Sequence, residues 1–82
     1  MGNEKHNTDE FYKIVAEFSL NDNDILDHAL LTKDLGMDSL DVIETVYSIE
    51  SHYDIEFDDK IFSEYLTVQE LKKQLINLLK VK

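Results

Sequence analysis

The chain has 82 residues, with 18 Asp and Glu set against 8 Lys and no Arg, so its formal net charge is −10. At this length a single domain spanning 1–82 is expected, with one modest core over roughly residues 8–80 and no room for a deep cleft. The sign of the charge and the lack of any guanidinium exclude nucleic acid as an expected partner, because nothing would neutralise or grip a phosphate backbone.

A hydrophobic fraction of 43% is ordinary for a folded domain and argues against disorder. With no cysteine, disulfides and thiolate zinc sites are excluded, and stability must come from helix packing. No run approaches the roughly 18–20 apolar residues of a bilayer span. Residues 1–6 are polar, unlike a signal peptide. A cytoplasmic monomer without a membrane span is therefore expected. The charge is unevenly spread: residues 1–33 carry −4, residues 34–59 carry −9 and residues 60–82 carry +3. No lysine lies between Lys33 and Lys60, so the middle segment presents an uncompensated negative field rather than the alternating signs of a merely solvated helix.

The chain has no proline and only Gly2 and Gly36, which leaves few signals for strands or hairpins. The first helix is expected over about residues 8–19, where Phe11, Ile14, Val15 and Phe18 recur at helical spacing. Asn7, three residues before Glu10, has the spacing of a capping box. A long connection follows to Asp38, with Ile25, Leu26, Leu30, Leu31 and Leu35 expected to pin it to the core. It ends at Gly36, suited to positive φ, and at Asp38 and Ser39, both good N-cap residues.

The second helix is expected from Ser39 to Tyr53. Val42, Val46, Ile49 and Tyr53 fall within roughly 60° of one another and form its core face. Leu40 and Tyr47 lie opposite, among Asp41, Glu44, Ser48 and Ser51. A brief third helix is expected over about residues 61–66, with Asp58 as its cap. Thr67 and Glu70 then form a T-x-x-E capping box before the last helix, which carries Val68, Leu71, Leu75, Ile76 and Leu79 and the lysines Lys72, Lys73 and Lys80, the last of them suited to the helix dipole.

The most informative run is Asp34-Leu35-Gly36-Met37-Asp38-Ser39-Leu40-Asp41. It resembles the acyl carrier proteins, whose signature is D-S-L at the start of an acidic second helix after a D-L-G turn. The likeness continues through Val42-Ile43-Glu44, Ile49-Glu50 and Tyr53-Asp54-Ile55-Glu56 and returns at Thr67-Val68-Gln69. The resemblance implies an all-α four-helix bundle of acyl-carrier type, with a long loop between helices one and two and a short third helix. It implies that Ser39 is where a phosphopantetheinyl transferase attaches 4′-phosphopantetheine from coenzyme A, and that the arm carries acyl groups as thioesters. Asp38, Leu40, Asp41, Glu44, Tyr47 and Glu50 would form the face that docks on basic patches of partner enzymes in fatty acid, polyketide-like or other specialised biosynthesis. The chain would then be no enzyme, and Ser39 a substrate rather than a nucleophilic catalyst.

Departures from the family pattern bear on the cargo. Phe57-Asp58 stands where Ile-Pro is usual, which implies a looser turn into the third helix. Thr45 replaces a frequent leucine and Tyr47 a frequent methionine, so the space between helices where such proteins shelter acyl chains is expected to be narrower or more polar. Gly36-Met37 lacks the second glycine common in peptidyl carriers.

The alternative from another class is an unmodified acidic helical adaptor that binds one basic partner. A hydrolase is disfavoured, since Met37 and Asp41 break the G-x-S-x-G pattern. Asp22, Asp24 and Asp27 resemble part of a calcium loop without its glycine and closing glutamate, so only loose ion binding is expected there. His6, His28 and His52 share no ligand spacing and are expected to be surface or loop residues, with no metal site.

Overall fold

The computed structural model describes residues 8–21 and 25–81. Its regular elements are α1 (Asp9–Glu17), α2 (Ser39–Tyr53) and α3 (Val68–Lys80), with one 3₁₀ turn at Asp59–Ile61 between α2 and α3. Among the described residues there is no helix long and apolar enough to cross a membrane.

Helix α1 buries Phe11, Ile14 and Val15 of the expected stripe, while Phe18 falls just past its end as the C-cap residue and is half-buried. Its N-cap is Thr8, whose side chain makes no capping bond. The first-turn N–H of Phe11 donates instead to the Tyr53 hydroxyl at 3.2 Å, so the end of α2 serves the start of α1. Burial pushes the Tyr53 phenol above its ordinary pKa. The expected pairing of Asn7 with Glu10 lies outside the described residues, as do Asp22, Asp24 and His6.

The long connection is strapped down by its own backbone. The amide of Leu31 donates to Leu66 O at 3.0 Å, that of Val68 to Ala29 O at 3.0 Å, and that of Gln69 to Asp27 O at 2.7 Å. These bonds flank an isolated antiparallel bridge between Leu30 and Thr67. Ala29, Leu31, Leu35 and Met37 are thereby delivered into the core beside Val46, Ile49, Val68, Leu71 and Leu75. Gly36 turns the chain toward α2 at φ +77°, and Leu20 packs where its side chain would be, 3.0 Å from the position a Cβ would take.

The expected brief third helix is not present as an α-helix: the 3₁₀ turn is one turn long and precedes most of residues 61–66. Nucleating a helix is unfavourable, and the N–H groups that would extend this one make other bonds, Ser63 N to Ile61 O, Tyr65 N to Ser63 Oγ and Leu66 N to Ser63 O. Asp58 does cap the turn, accepting from Lys60 N at 2.9 Å. Nor is the turn left loose by the missing proline. A carboxylate oxygen of Glu50 accepts from Phe57 N at 2.7 Å, so two acidic side chains hold the segment from both sides.

Helix α3 starts as its capping pattern predicts, with Thr67 Oγ1 accepting from Glu70 N at 3.1 Å. Lys72 on α3 donates to the Tyr12 hydroxyl oxygen at 2.6 Å and lies 3.3 Å from Asp27 Oδ1, while the Tyr12 hydroxyl donates to that same oxygen at 3.0 Å. The three side chains stitch α1, the connection and α3 together. The Tyr12 hydroxyl and then the Lys72 ammonium hold the Asp27 carboxyl below its ordinary pKa. The same hydroxyl, followed by Asp27, holds the Lys72 ammonium above its own.

Candidate functional site

Two carboxylates fix the start of α2. Asp38, the N-cap residue, accepts from Asp41 N at 2.8 Å, and Asp41 accepts in return from Asp38 N at 3.2 Å. This reciprocal capping box places both acids at the positive end of the helix dipole. Its consequence falls on Ser39, the first residue of α2. With capping done by its neighbours, Ser39 is exposed and its hydroxyl is not needed to start the helix. Amides of a first helical turn have no intrahelical partner, so an anion joined to this serine would meet a favourable field.

Leu40, Glu44 and Tyr47 follow at i, i+4 and i+7 and share an outward face. Leu40 and Tyr47 are 60% and 58% exposed, large apolar surfaces of the kind that cores ordinarily absorb. Asp38 and Glu44 are exposed and Asp41 is half-buried, which rings the apolar pair with negative charge. Glu50 stands apart from the other acids: it is half-buried and spends one carboxylate oxygen on Phe57 N.

Beside Ser39 opens a groove of about 400 Å³ between α2, the end of the long connection and the segment after the 3₁₀ turn. Ser39 itself lines it, together with Met37, Val42, Ile43, Tyr47 and Phe62. Sequence reasoning missed Phe62, and no pattern could have found it, because residues near 37, 43 and 62 meet only through tertiary packing. Phe62 is 40% exposed, directly after the one-turn helix that leaves it out of the core. Thr45 is fully buried, one turn along α2 from Asp41. His28 and His52 are exposed. Among the described residues no group of three or more His, Asp or Glu is placed to hold a metal ion.

This arrangement presents an exposed hydroxyl at a helix start, an acidic rim and an adjoining apolar groove. Asp38 and Asp41, the carboxylates that flank Ser39 in sequence, each give one oxygen to a backbone amide of the capping box.

Comparison with known proteins bears on the same region. The family model described as the phosphopantetheine attachment site matches residues 9–75. The acyl carrier protein of Campylobacter lari is 32% identical over 73 residues, which covers 88% of this chain and 95% of the relative. No solved structure matches. The match runs from the start of α1 into α3 and so takes in the capped serine, the acidic helix and the strap alike, and the chain belongs to the acyl carrier protein family, whose members bear phosphopantetheine and carry acyl groups rather than catalyse their reactions.

Proposed function

We propose that Ser39 is the residue that receives 4′-phosphopantetheine and that the chain presents acyl thioesters on this arm to enzymes of fatty acid or related specialised biosynthesis. The observation that carries the reading is the reciprocal Asp38–Asp41 box, which caps α2 without Ser39 and leaves an exposed serine hydroxyl at the helix start. In the transfer the Ser39 oxygen forms a bond to phosphorus as the pyrophosphate link of coenzyme A breaks. The hydroxyl proton passes to a base of the transferase, and the adenosine bisphosphate departs. The arm supplies the thiol that forms the thioester, a group absent from a chain without cysteine.

Leu40 and Tyr47, rimmed by Asp38, Asp41 and Glu44, are the docking face in this reading. An apolar centre with a charged surround suits brief, electrostatically steered encounters with basic enzymes. Glu50 has its first duty in the fold, at Phe57. A carrier speeds its pathway by holding cargo at high effective concentration near successive active sites, which demands mobility of the arm rather than tight binding.

The test is an intact mass spectrum after incubation with coenzyme A, magnesium and a broad-specificity phosphopantetheinyl transferase, with Ser39→Ala alongside. A gain of one phosphopantetheine mass in the wild type alone is expected. No gain with several transferases, on protein shown to be folded, would overturn the reading in favour of an unmodified acidic adaptor.

A further inference from the structure

Helix α3 carries one acid, Glu70, and the lysines Lys72, Lys73 and Lys80. Glu70 is turned away from them: it accepts from Gln74 Nε2 at 2.9 Å, and both line a groove on the side of the 3₁₀ turn. The lysines line a separate, shallow hollow of about 380 Å³ together with Ile76 and Asn77. Asp27 is the one acid there, and it is already joined to Lys72 at 3.3 Å. No carboxylate of the described residues pairs with Lys73 or Lys80, and both are exposed. A chain of net charge −10 thus keeps two uncompensated ammonium groups on one helix face, with the half-buried Ile76 between them.

The α2 face is the counterpart of this one. Leu40 and Tyr47 are exposed beside Glu44, with Asp38 and Asp41 at the helix start. Lys73 and Lys80 stand about 10 Å apart along their helix and Asp38 and Glu44 about 9 Å apart along theirs, at 1.5 Å per residue. The flexible lysine stem absorbs the difference. Net charge does not forbid the match. At 0.15 M salt the Debye length is about 8 Å, so repulsion between whole molecules is screened while contacts across a few ångströms persist. Each molecule measures 35 × 27 × 19 Å, well beyond that length. A polyanion larger than the face, such as nucleic acid or an anionic membrane, would meet the acidic remainder of the surface as well as two lysines.

We propose that the Lys73–Ile76–Lys80 face of α3 docks on the acidic α2 face, around Leu40 and Glu44, of a second copy of this chain. The contact is small, charge-led and therefore weak and reversible. Its consequence alone rests on the carrier reading: a copy seated on α2 covers the surface offered to partner enzymes, so self-association and enzyme docking exclude one another.

The test is sedimentation equilibrium of the full chain, from micromolar to millimolar protein, at physiological and at high salt. The average mass of the wild type should climb toward that of a dimer as concentration rises, and fall back in high salt. Lys73→Glu with Lys80→Glu in one variant, and Glu44→Lys in another, should each raise the dissociation constant about ten-fold or more, equivalent to 1.4 kcal/mol. Glu44→Lys is less acidic than the wild type, so general charge repulsion predicts the opposite for it. An equal mixture of the two variants should regain wild-type association, because each then offers the other a complementary face. All three positions are exposed, and the fold of each variant is checked by its thermal melt. A wild type that stays monomeric, a dimer that survives Glu44→Lys, or a mixture no better than its parts would overturn the proposal. A monomeric wild type that binds hexaglutamate through Lys73 and Lys80 would overturn it too and give the face to a different acidic protein. None of these results touches the carrier reading, which the phosphopantetheine mass gain decides separately.

Discussion

The division of labour between Asp38 and Ser39 can be tested by stability alone, without any partner enzyme. Asp38 accepts a bond from Asp41 N and its own amide donates to the Asp41 carboxylate. Asp38→Ala removes the first and leaves the box half made. Loss of an N-cap costs about 1 kcal/mol, within a range of roughly 0.5–2. The lost interaction of a carboxylate with the helix dipole adds about 0.3–1 kcal/mol. Relief of repulsion within the −9 segment works in the opposite direction. A net loss of about 1–1.5 kcal/mol is expected, which for a domain of this size lowers Tm by roughly 4–12 °C. Asp38→Asn keeps a capping oxygen and discards the charge, so it should stay within about 0.5 kcal/mol of the wild type. Ser39→Ala should also be near neutral, because the serine hydroxyl caps nothing. Urea midpoints for the three variants, with the slope held constant, decide the matter. If Ser39→Ala cost as much as Asp38→Ala, the serine would be a structural cap and the argument for its availability would fail.

Other consequences follow from particular contacts. Gly36→Ala should destabilise by about 1–2 kcal/mol in a thermal melt, because a side chain at φ +77° is strained and its Cβ would press on Leu20. A variant as stable as the wild type would refute that. Asp27 has a folded pKa below its unfolded one, so the stability it contributes is present above the unfolded value and is lost as pH falls through the folded value. Denaturation midpoints recorded from neutral pH into that acid range should therefore fall less steeply for Asp27→Asn than for the wild type. The uncompensated −9 over residues 34–59 predicts that Tm rises as salt is added, and a flat titration would remove the idea.

The parts legible in the sequence are those fixed by local chemistry. The bounds of α2 follow from Asp38 at one end and from the spacing of Val42, Val46, Ile49 and Tyr53 along it. The start of α3 follows from Thr67 and Glu70. What stayed hidden depends on partners distant in sequence. Nothing near Phe11 says that its amide will be capped by Tyr53, 42 residues later. Asp27 reads, with Asp22 and Asp24, as part of an incomplete calcium loop, and only the fold brings Lys72 and Tyr12 to it. The third helix is shorter than its apolar run suggests for a local reason that composition does not show: Ser63 N, Tyr65 N and Leu66 N bond to Ile61 and Ser63 in turns instead of to residues four back. The groove beside Ser39 is not legible in the sequence, where Val42 reads as core and Tyr47 as the outward face, because it forms only when Phe62 packs near them.

Capping and the proposed docking draw on the same carboxylates, so mutations that remove whole side chains will confuse the two. Asp38→Ala weakens α2 and removes a charge from the rim at once, and a lost encounter with a basic enzyme could then reflect either. The amide variant separates them. Asp38→Asn retains the oxygen that accepts from Asp41 N, so the helix start and the exposure of Ser39 should persist. One charge of the rim beside Leu40 is nevertheless gone. On the docking reading, association of Asp38→Asn with a basic carrier-binding enzyme should slow several-fold at low salt while its Tm holds. Because the lost contribution is long-range, the difference from wild type should shrink as ionic strength rises and the Debye length falls to about 8 Å at 0.15 M. Equal association rates for the two proteins at low salt would show that Asp38 serves the helix alone, and the acidic face would then have to be carried by Glu44 and Asp41.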